Sequence, residues 1–141
     1  MEPQKKWHIL YCDRLHQLCP VTDFIESCSQ RHQLKLLRFL ELLEELGPGL
    51  KRPYADLLHD GVHELRITLG GDHARILYFF CFEKFIILYH AFWKRTDKVP
   101  EQIIRETIEY RKNLINRFNK KALEYFIDEN FQEVSSAKTR A

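Results

Sequence analysis

The sequence has few cysteines, and their spacing is not that of a metal or redox site. No two of them form a C-x-x-C pair; they are Cys12, Cys19, Cys28 and Cys81. His59 and His63 are four residues apart, but Gly61 between them would break a helix on which such a pair could chelate a metal. We therefore expect reduced cysteines, as in an intracellular protein, and no metal ion.

Long apolar runs, repeats and an excess of one charge are also lacking. The apolar stretch after Lys5 and Lys6 ends at Asp13, well short of a signal-peptide core or a membrane span. A formal net charge of only +2 gives no attraction of the whole protein to nucleic acid, so any such binding must depend on local patches. With 141 residues and no low-complexity linker, the chain is predicted to be one cytoplasmic domain without a membrane-bound part.

The central feature that is present is an aromatic-rich stretch from Val62 to Thr96, whose side chains alternate as in three consecutive strands. Gly70 and Gly71 permit the positive φ angles of a two-residue hairpin turn, and Glu83-Lys84 has the spacing of a second hairpin. The stretch therefore predicts a three-stranded antiparallel meander.

Two such hairpins determine which side chains share a face, because side chains alternate along each strand. Arg66 then lies opposite Arg75, and Arg75 lies opposite Phe92. One face is wholly apolar, with Leu65, Ile67, Leu69, Ile76, Tyr78, Phe80, Phe82, Ile87, Tyr89, Ala91 and Trp93. The other face has an apolar end with Leu77, Phe79, Cys81, Ile86 and Leu88, and a charged end with Glu64, Arg66, Arg75, His90 and Lys94.

The predicted elements before the meander are one strand and two helices. Alternation over residues 7–12 predicts a strand, and residues 13–19 are a connection. Pro20 in a first turn begins a short helix to about Ser29. A Leu-rich helix over residues 31–46 ends at Gly47-Pro48-Gly49, and its apolar stripe is expected to cover the apolar sheet face. Residues 51–61 are predicted to be a loop.

A helical region follows the meander. Pro100 begins a helix, and apolar residues as far as Phe131 extend it or form a second helix. We expect an α+β fold in which the N-terminal strand and the meander form one sheet. The domain is assigned to residues 1–132, with a C-terminal helical extension from about residue 113, and residues 133–141 are expected to be frayed.

The charged end of the second sheet face admits two interpretations. Like charges directly opposite each other across strands are destabilising, so stability alone would not place Arg66 beside Arg75. A solvated face with an Arg–Glu pair is one interpretation. An anion site, most naturally for phosphate, is the other, because guanidinium groups match phosphate oxygens.

Four motifs, taken in order, resemble those of a known superfamily. They are Cys19-Pro20-Val21 with Phe24, LLEELGPGL at residues 42–50, LHDGVHELR at 58–66 with ARILYFF at 74–80, and FWKRTDKVP at 92–100. Together with the order of elements they resemble the RelE/ParE toxins, and most closely the phage-derived HigB-like branch, over most of residues 7–112. In that branch the closing motif usually has Thr where this chain has Val99.

This resemblance implies a RelE-like fold and the toxin of a type II toxin–antitoxin module that cleaves messenger RNA on the translating ribosome. It also implies a cognate antitoxin, in this branch usually a helix-turn-helix protein, and leaves a homodimer open. An architecture can serve several activities, so a ParE-like inhibitor of DNA gyrase and an inactive module that binds an antitoxin or nucleic acid remain alternatives.

RNA cleavage by internal transfer needs no metal or cofactor, because the 2′-hydroxyl attacks the adjacent phosphate. The candidates for stabilising charge in the transition state are Arg66 and Arg75. Lys94 would hold a flanking phosphate. His90, as the only imidazole on that face, would be either the general acid or base or a histidine packed in the core beside Leu88. Glu64 would orient Arg66 or act as the base. Further RNA contacts are assigned to Lys51, Arg52, Arg95, Thr96 and Lys98.

Overall fold

The structure is a computed structural model that describes residues 7–12 and 20–139, with side chains as far as residue 129. Five strands are found in these residues: β1 (His8–Tyr11), β2 (Ala55–His59), β3 (Val62–Leu69), β4 (Asp72–Cys81) and β5 (Phe85–Trp93). The same residues form four α-helices: α1 (Val21–Ser27), α2 (Gln30–Leu46), α3 (Glu101–Arg117) and α4 (Lys120–Thr139). The C-terminal helical region is therefore two helices, and the expected fraying of residues 133–141 stays a prediction.

All five strands form one mixed sheet in the order β1-β5-β4-β3-β2. β3, β4 and β5 are the predicted meander, and β1 pairs in parallel with β5 at one edge. Gly70 and Gly71, with φ of 58° and 91°, form the two-residue turn between β3 and β4. The α+β class and the meander are therefore confirmed, as is the pairing of Arg66 with Arg75.

The prediction of a loop over residues 51–61 is wrong, because residues 55–59 form the edge strand β2. This strand pairs antiparallel with β3 and brings Asp56 directly opposite Glu64. Asp60 and Gly61 make the connecting turn with φ of 52° and 80°. An Asp-Gly pair readily adopts two successive positive φ angles, which explains why the hairpin forms here.

The second hairpin of the meander differs from the prediction. Cys81 pairs with Phe85, so the loop has the three residues 82–84. A bulge then shifts the register between Tyr78↔Leu88 and Leu77↔His90. Beyond it Arg75 faces Phe92 as predicted, but before it Ile87 lies opposite Phe79. The predicted faces of Ile86, Ile87 and Leu88 are therefore interchanged.

Helices cover both faces of the sheet. α1 and α2 pack on the face of Leu65 and Ile67, where Phe24 of α1 lies 5.1 Å from Trp93 between ring centroids. α3 packs on the opposite face, where its Ile104 forms a buried cluster with Val62 and Leu77. The second face is thus open only at the end that α3 leaves uncovered.

The cysteines do not all match the expectation of reduced thiols. Cys28 and Cys81 are free, but Cys12 is disulfide-bonded. The expectation is therefore wrong at Cys12. Burial raises the pKa of the Cys81 thiol to about 11, which makes it a weak nucleophile at neutral pH.

The described part of the chain has neither a membrane-spanning helix nor a group of metal ligands. Residues 7–12 and 20–139 contain no helix long and apolar enough to cross a membrane. Over the same stretches, no three His, Cys, Asp or Glu side chains are grouped as ligands for a metal ion.

Candidate functional site

The charged side chains of β3, β4 and β5 form rows across the sheet face that α3 partly covers, here called the arginine face. One row pairs Arg66 with Arg75 and Arg75 with Phe92. The row on the α3 side pairs Glu64 with Leu77 and Leu77 with His90. Residues directly opposite each other on paired strands have Cβ atoms roughly 5 Å apart on one face. The two guanidinium groups therefore emerge side by side.

A single buried carboxylate holds the two guanidinium groups together. Glu64 Oε1 accepts a hydrogen bond from Arg66 Nε at 2.8 Å, and its Oε2 lies 3.5 Å from Arg75 Nε. The Glu64 side chain is only 2% exposed, whereas Arg66 is 31% and Arg75 9% exposed. Glu64 offsets the repulsion between the arginines, and Arg66 keeps part of its guanidinium in solvent.

Asp56 of β2 extends this cluster toward the edge of the sheet. Its Oδ2 lies 2.8 Å from Arg52 Nη2 and 3.4 Å from Arg66 Nη2. The hydrogen bond from Arg52 and the charge of Arg66 hold the pKa of Asp56 below its usual value. Three guanidinium groups face two carboxylates, which leaves the ion-pair cluster with one net positive charge.

Arg75 is the most buried of the three arginines in this cluster. Desolvation lowers the pKa of its guanidinium, and Arg66 adds to this, whereas Glu64 opposes it. Arg75 Nη1 donates to the carbonyl of Ala74 at 3.0 Å. Removing Glu64 would leave this charge inside the protein without a compensating partner.

His90 is brought to the arginine face, as predicted, but α3 covers it. Burial lowers the pKa of its imidazole, and Glu106 of α3 opposes this shift. Its Nδ1 is buried with no hydrogen-bond partner among the described residues. His90 therefore favours the neutral form and is poorly placed to contact a large substrate.

The residues predicted to contact RNA lie in two segments. Lys51 and Arg52 precede β2, and Lys94, Arg95, Thr96 and Lys98 follow β5. Among ion pairs between described side chains, only Arg52 of this set joins the cluster with Asp56. Thr96 Oγ1 donates to the carbonyl of Lys98 at 2.7 Å, which forms a tight bend in an exposed segment.

An exposed histidine on this face escaped the sequence reasoning. His73 pairs with Thr68, one row beyond Arg66 and Arg75, and its Nδ1 lies 3.4 Å from Thr68 Oγ1. The prediction that His90 is the only imidazole on this face is therefore wrong. The signal was present, because residues 73 and 75 of one strand must point to the same side.

The two half-buried histidines, His63 and His90, predict how stability depends on pH. Burial lowers the pKa of His63, as it does that of His90, below the ordinary value of 6.5. Between this value and the lowered ones, the unfolded chain binds protons that the folded chain does not, so stability falls as pH falls. We expect the urea midpoint of unfolding to be lower at pH 5.5 than at pH 7.5.

A matched pair of double variants tests the source of this effect. His63→Gln/His90→Gln should flatten the pH dependence, whereas replacing the exposed His8 and His73 with Gln should preserve it. Asp60 raises the pKa of His59, which acts in the opposite direction, but this imidazole is solvent-screened. An unchanged slope in the first variant would contradict the assignment.

Comparison with known proteins gives a family for the whole meander, for β2 and α2, and for most of α1 and α3. The family model described as "Phage derived protein Gp49-like (DUF891)" matches residues 23–112. These residues include both arginines, the buried carboxylate and the segment after β5. No curated protein matches the chain.

Proposed function

Since the chain belongs to the Gp49-like family of phage-derived proteins, which is associated with RelE-like toxins, we propose that it is the toxin of a type II toxin–antitoxin module. Its activity is ribosome-dependent endonucleolytic cleavage of messenger RNA. It acts in the cytoplasm, and its fold is the RelE-like arrangement of the HigB-like branch. The match covers four of the five strands, β2 to β5, and α3 as far as residue 112.

One observation carries the proposal of an RNA-cleaving site. Two cross-strand arginines share a single buried carboxylate on a sheet face that remains partly open. A surface that needed only stability would separate these charges. Held in this way, the two positive charges lie beside one position for a phosphate, and they need no rearrangement when negative charge develops on that phosphate.

The reaction follows from this arrangement. The 2′-hydroxyl of a ribose attacks the adjacent phosphorus, and the bond from phosphorus to the 5′-oxygen of the next nucleotide breaks. Arg66, which is partly exposed, contacts the phosphate oxygens, while the more buried Arg75 contributes its positive charge beside them. Lys94 holds a flanking phosphate. Residues 51, 52, 95, 96 and 98 contact the message beyond the cut.

Glu64 and His90 have different roles in this scheme. Glu64 is buried between both arginines, which supports the role of orienting Arg66 over that of a general base. His90, covered by α3, supports the floor of the site. The role of general acid or base that the sequence suggested for His90 therefore needs another group.

A helix-turn-helix antitoxin is the proposed protein partner. Leu34 and Leu37 of α2 are 58% and 45% exposed, although α2 otherwise packs on the sheet. These side chains provide an apolar surface on the far side of the sheet from the arginine face. An antitoxin bound there would inhibit by preventing entry into the ribosome rather than by covering the arginines.

A second candidate function is binding without catalysis, as in a gyrase inhibitor or an inactive module. The burial of His90 and the pairing of Arg75 with Glu64 favour it, because they reduce the number of accessible catalytic groups. The exposed part of Arg66 favours the nuclease instead.

Induced expression separates these functions. The proposal predicts a rapid loss of protein synthesis, with new 5′ ends inside translated messages when total RNA is mapped by reverse transcription. DNA damage with filamentation would instead indicate gyrase inhibition. Growth unaffected by confirmed expression of folded protein would indicate a module without toxic activity.

A further inference from the structure

The arginine face has a third row, in which Thr68 pairs with His73. The reaction proposed above does not use the imidazole of His73. We propose that His73 is a catalytic residue, whose imidazole accepts the proton of the attacking 2′-hydroxyl. This inference rests on the proposed ribonuclease function and supplies the general base that the scheme lacks.

The position of His73 fits this role. It lies two residues from Arg75 along β4 on the same face, a separation of roughly 7 Å between backbone positions. A phosphate held by Arg66 and Arg75 would therefore place a neighbouring ribose over the third row. In the proposed complex the 2′-hydroxyl of this ribose faces His73.

Exposure distinguishes His73 from His90. His73 is exposed, at the end of the sheet away from α3, whereas His90 is half-buried beneath that helix. The contact between Thr68 Oγ1 and His73 Nδ1 orients the ring. In the proposed role Nδ1–H donates to Thr68 Oγ1, so that Nε2 carries the lone pair that accepts the proton.

The backbone around His73 is held by two neighbouring segments. The carbonyl of His73 accepts a hydrogen bond from the backbone N–H of Lys94 at 2.7 Å. The ammonium group of Lys35 on α2 donates to the carbonyl of Thr68 in the opposite strand. A base must keep its position relative to the phosphate, and these contacts fix both strands of the third row.

The proposed step is balanced in protons and bonds. Neutral His73 Nε2 takes the proton of the 2′-hydroxyl while the 2′-oxygen forms a bond to phosphorus. The bond from phosphorus to the 5′-oxygen breaks, and that oxygen takes a proton from water. The products are a 2′,3′-cyclic phosphate and a 5′-hydroxyl, and His73 then releases its proton to solvent.

Chemical rescue is the sharpest test. With purified protein and ribosomes programmed with one message, His73→Ala should lower the single-turnover cleavage rate by about 10²- to 10⁴-fold. Added imidazole should restore part of the lost rate, because the vacated position is exposed. His8→Ala is the control, since His8 is also an exposed strand histidine and lies on β1 at the far edge of the sheet.

The outcomes separate this inference from the proposed function. If the parent protein cuts and folded His73→Ala cuts at the parent rate, His73 is not the base, while the nuclease function stands. If the rate falls and imidazole does not raise it above the effect seen with His8→Ala, the loss is structural and the inference is wrong. If the parent protein cuts no message, the proposed function fails first, and the inference fails with it.

Discussion

Replacement of Arg66 with alanine is expected to lower message cleavage on the ribosome by about 10²- to 10³-fold and to abolish growth arrest. Its guanidinium is 31% exposed beside the buried Arg75, so it is the donor that can contact a phosphate directly. The protein should still fold, because Glu64 keeps Arg75 and Asp56 keeps Arg52. Arg75→Ala should also abolish toxicity. Single-turnover rates on programmed ribosomes measure the loss.

Two companion variants make this result specific. Arg66→Lys keeps the charge but loses the planar guanidinium group, which can donate two hydrogen bonds to one phosphate. This variant should therefore cut faster than Arg66→Ala but slower than the parent. Arg38→Ala removes an exposed arginine of α2, on the other side of the sheet, and should cut like the parent. If Arg66→Ala and Arg75→Ala both remain as toxic as the parent, the arginine face is not the site.

The largest expected effect on stability comes from Glu64→Gln. This change leaves Arg75, with a side chain 9% exposed, as a buried charge without its carboxylate. Breaking a buried ion pair by removing one partner typically costs about 3 to 5 kcal/mol of unfolding free energy. We expect a loss near the lower end, since Arg66 retains Asp56 and solvent. Urea unfolding of the parent and the variant measures it.

A second change should reverse much of this loss. In the Glu64→Gln background, Arg75→Met removes the unpaired charge while keeping a long side chain, so the double variant should be more stable than Glu64→Gln alone. Glu41→Gln, an exposed position of α2, is the matched control and should unfold like the parent. Equal stability of Glu64→Gln and the parent would show that the shared carboxylate carries little energy.

The register around Arg66 and Arg75 could be predicted because a glycine pair marks the turn between their strands. Gly70 and Gly71 adopt positive φ, and a two-residue loop then makes Arg66 the cross-strand partner of Arg75. The sequence also has a signal for β2, since the turn-forming pair Asp60-Gly61 follows Leu57-Leu58-His59 and precedes Val62. That signal was outweighed by the turn-forming residues before it, and Asp56 was missed with the strand.

The register at Phe92 was predicted correctly through two errors that cancel. The hairpin after β4 has three loop residues rather than two, which shifts the pairing by one. The bulge between Leu88 and His90 shifts it back. No glycine, proline, asparagine or aspartate marks this bulge in the sequence. Tyr89, which lies between Leu88 and His90, is 4.9 Å from Tyr110 of α3 between ring centroids.

The contacts of the cluster were less predictable than its composition. The alternation of side chains along each strand places Glu64, Arg66 and Arg75 on one face, but it does not show how deeply each side chain is buried. The course of α3 decides that His90 is covered and that His73 is exposed. A helix that is distant in sequence therefore determines which imidazole can meet a substrate.

The most direct test of the nuclease account uses a message with one modified nucleotide. The cut position is first mapped on ribosomes with an all-ribose message, and the nucleotide whose 2′-hydroxyl would attack is then replaced by its 2′-deoxy form. The account predicts cleavage of the first message to a 5′-hydroxyl end and no cleavage at that position in the second. Cleavage of both messages at equal rates, or of neither by folded protein, would contradict it.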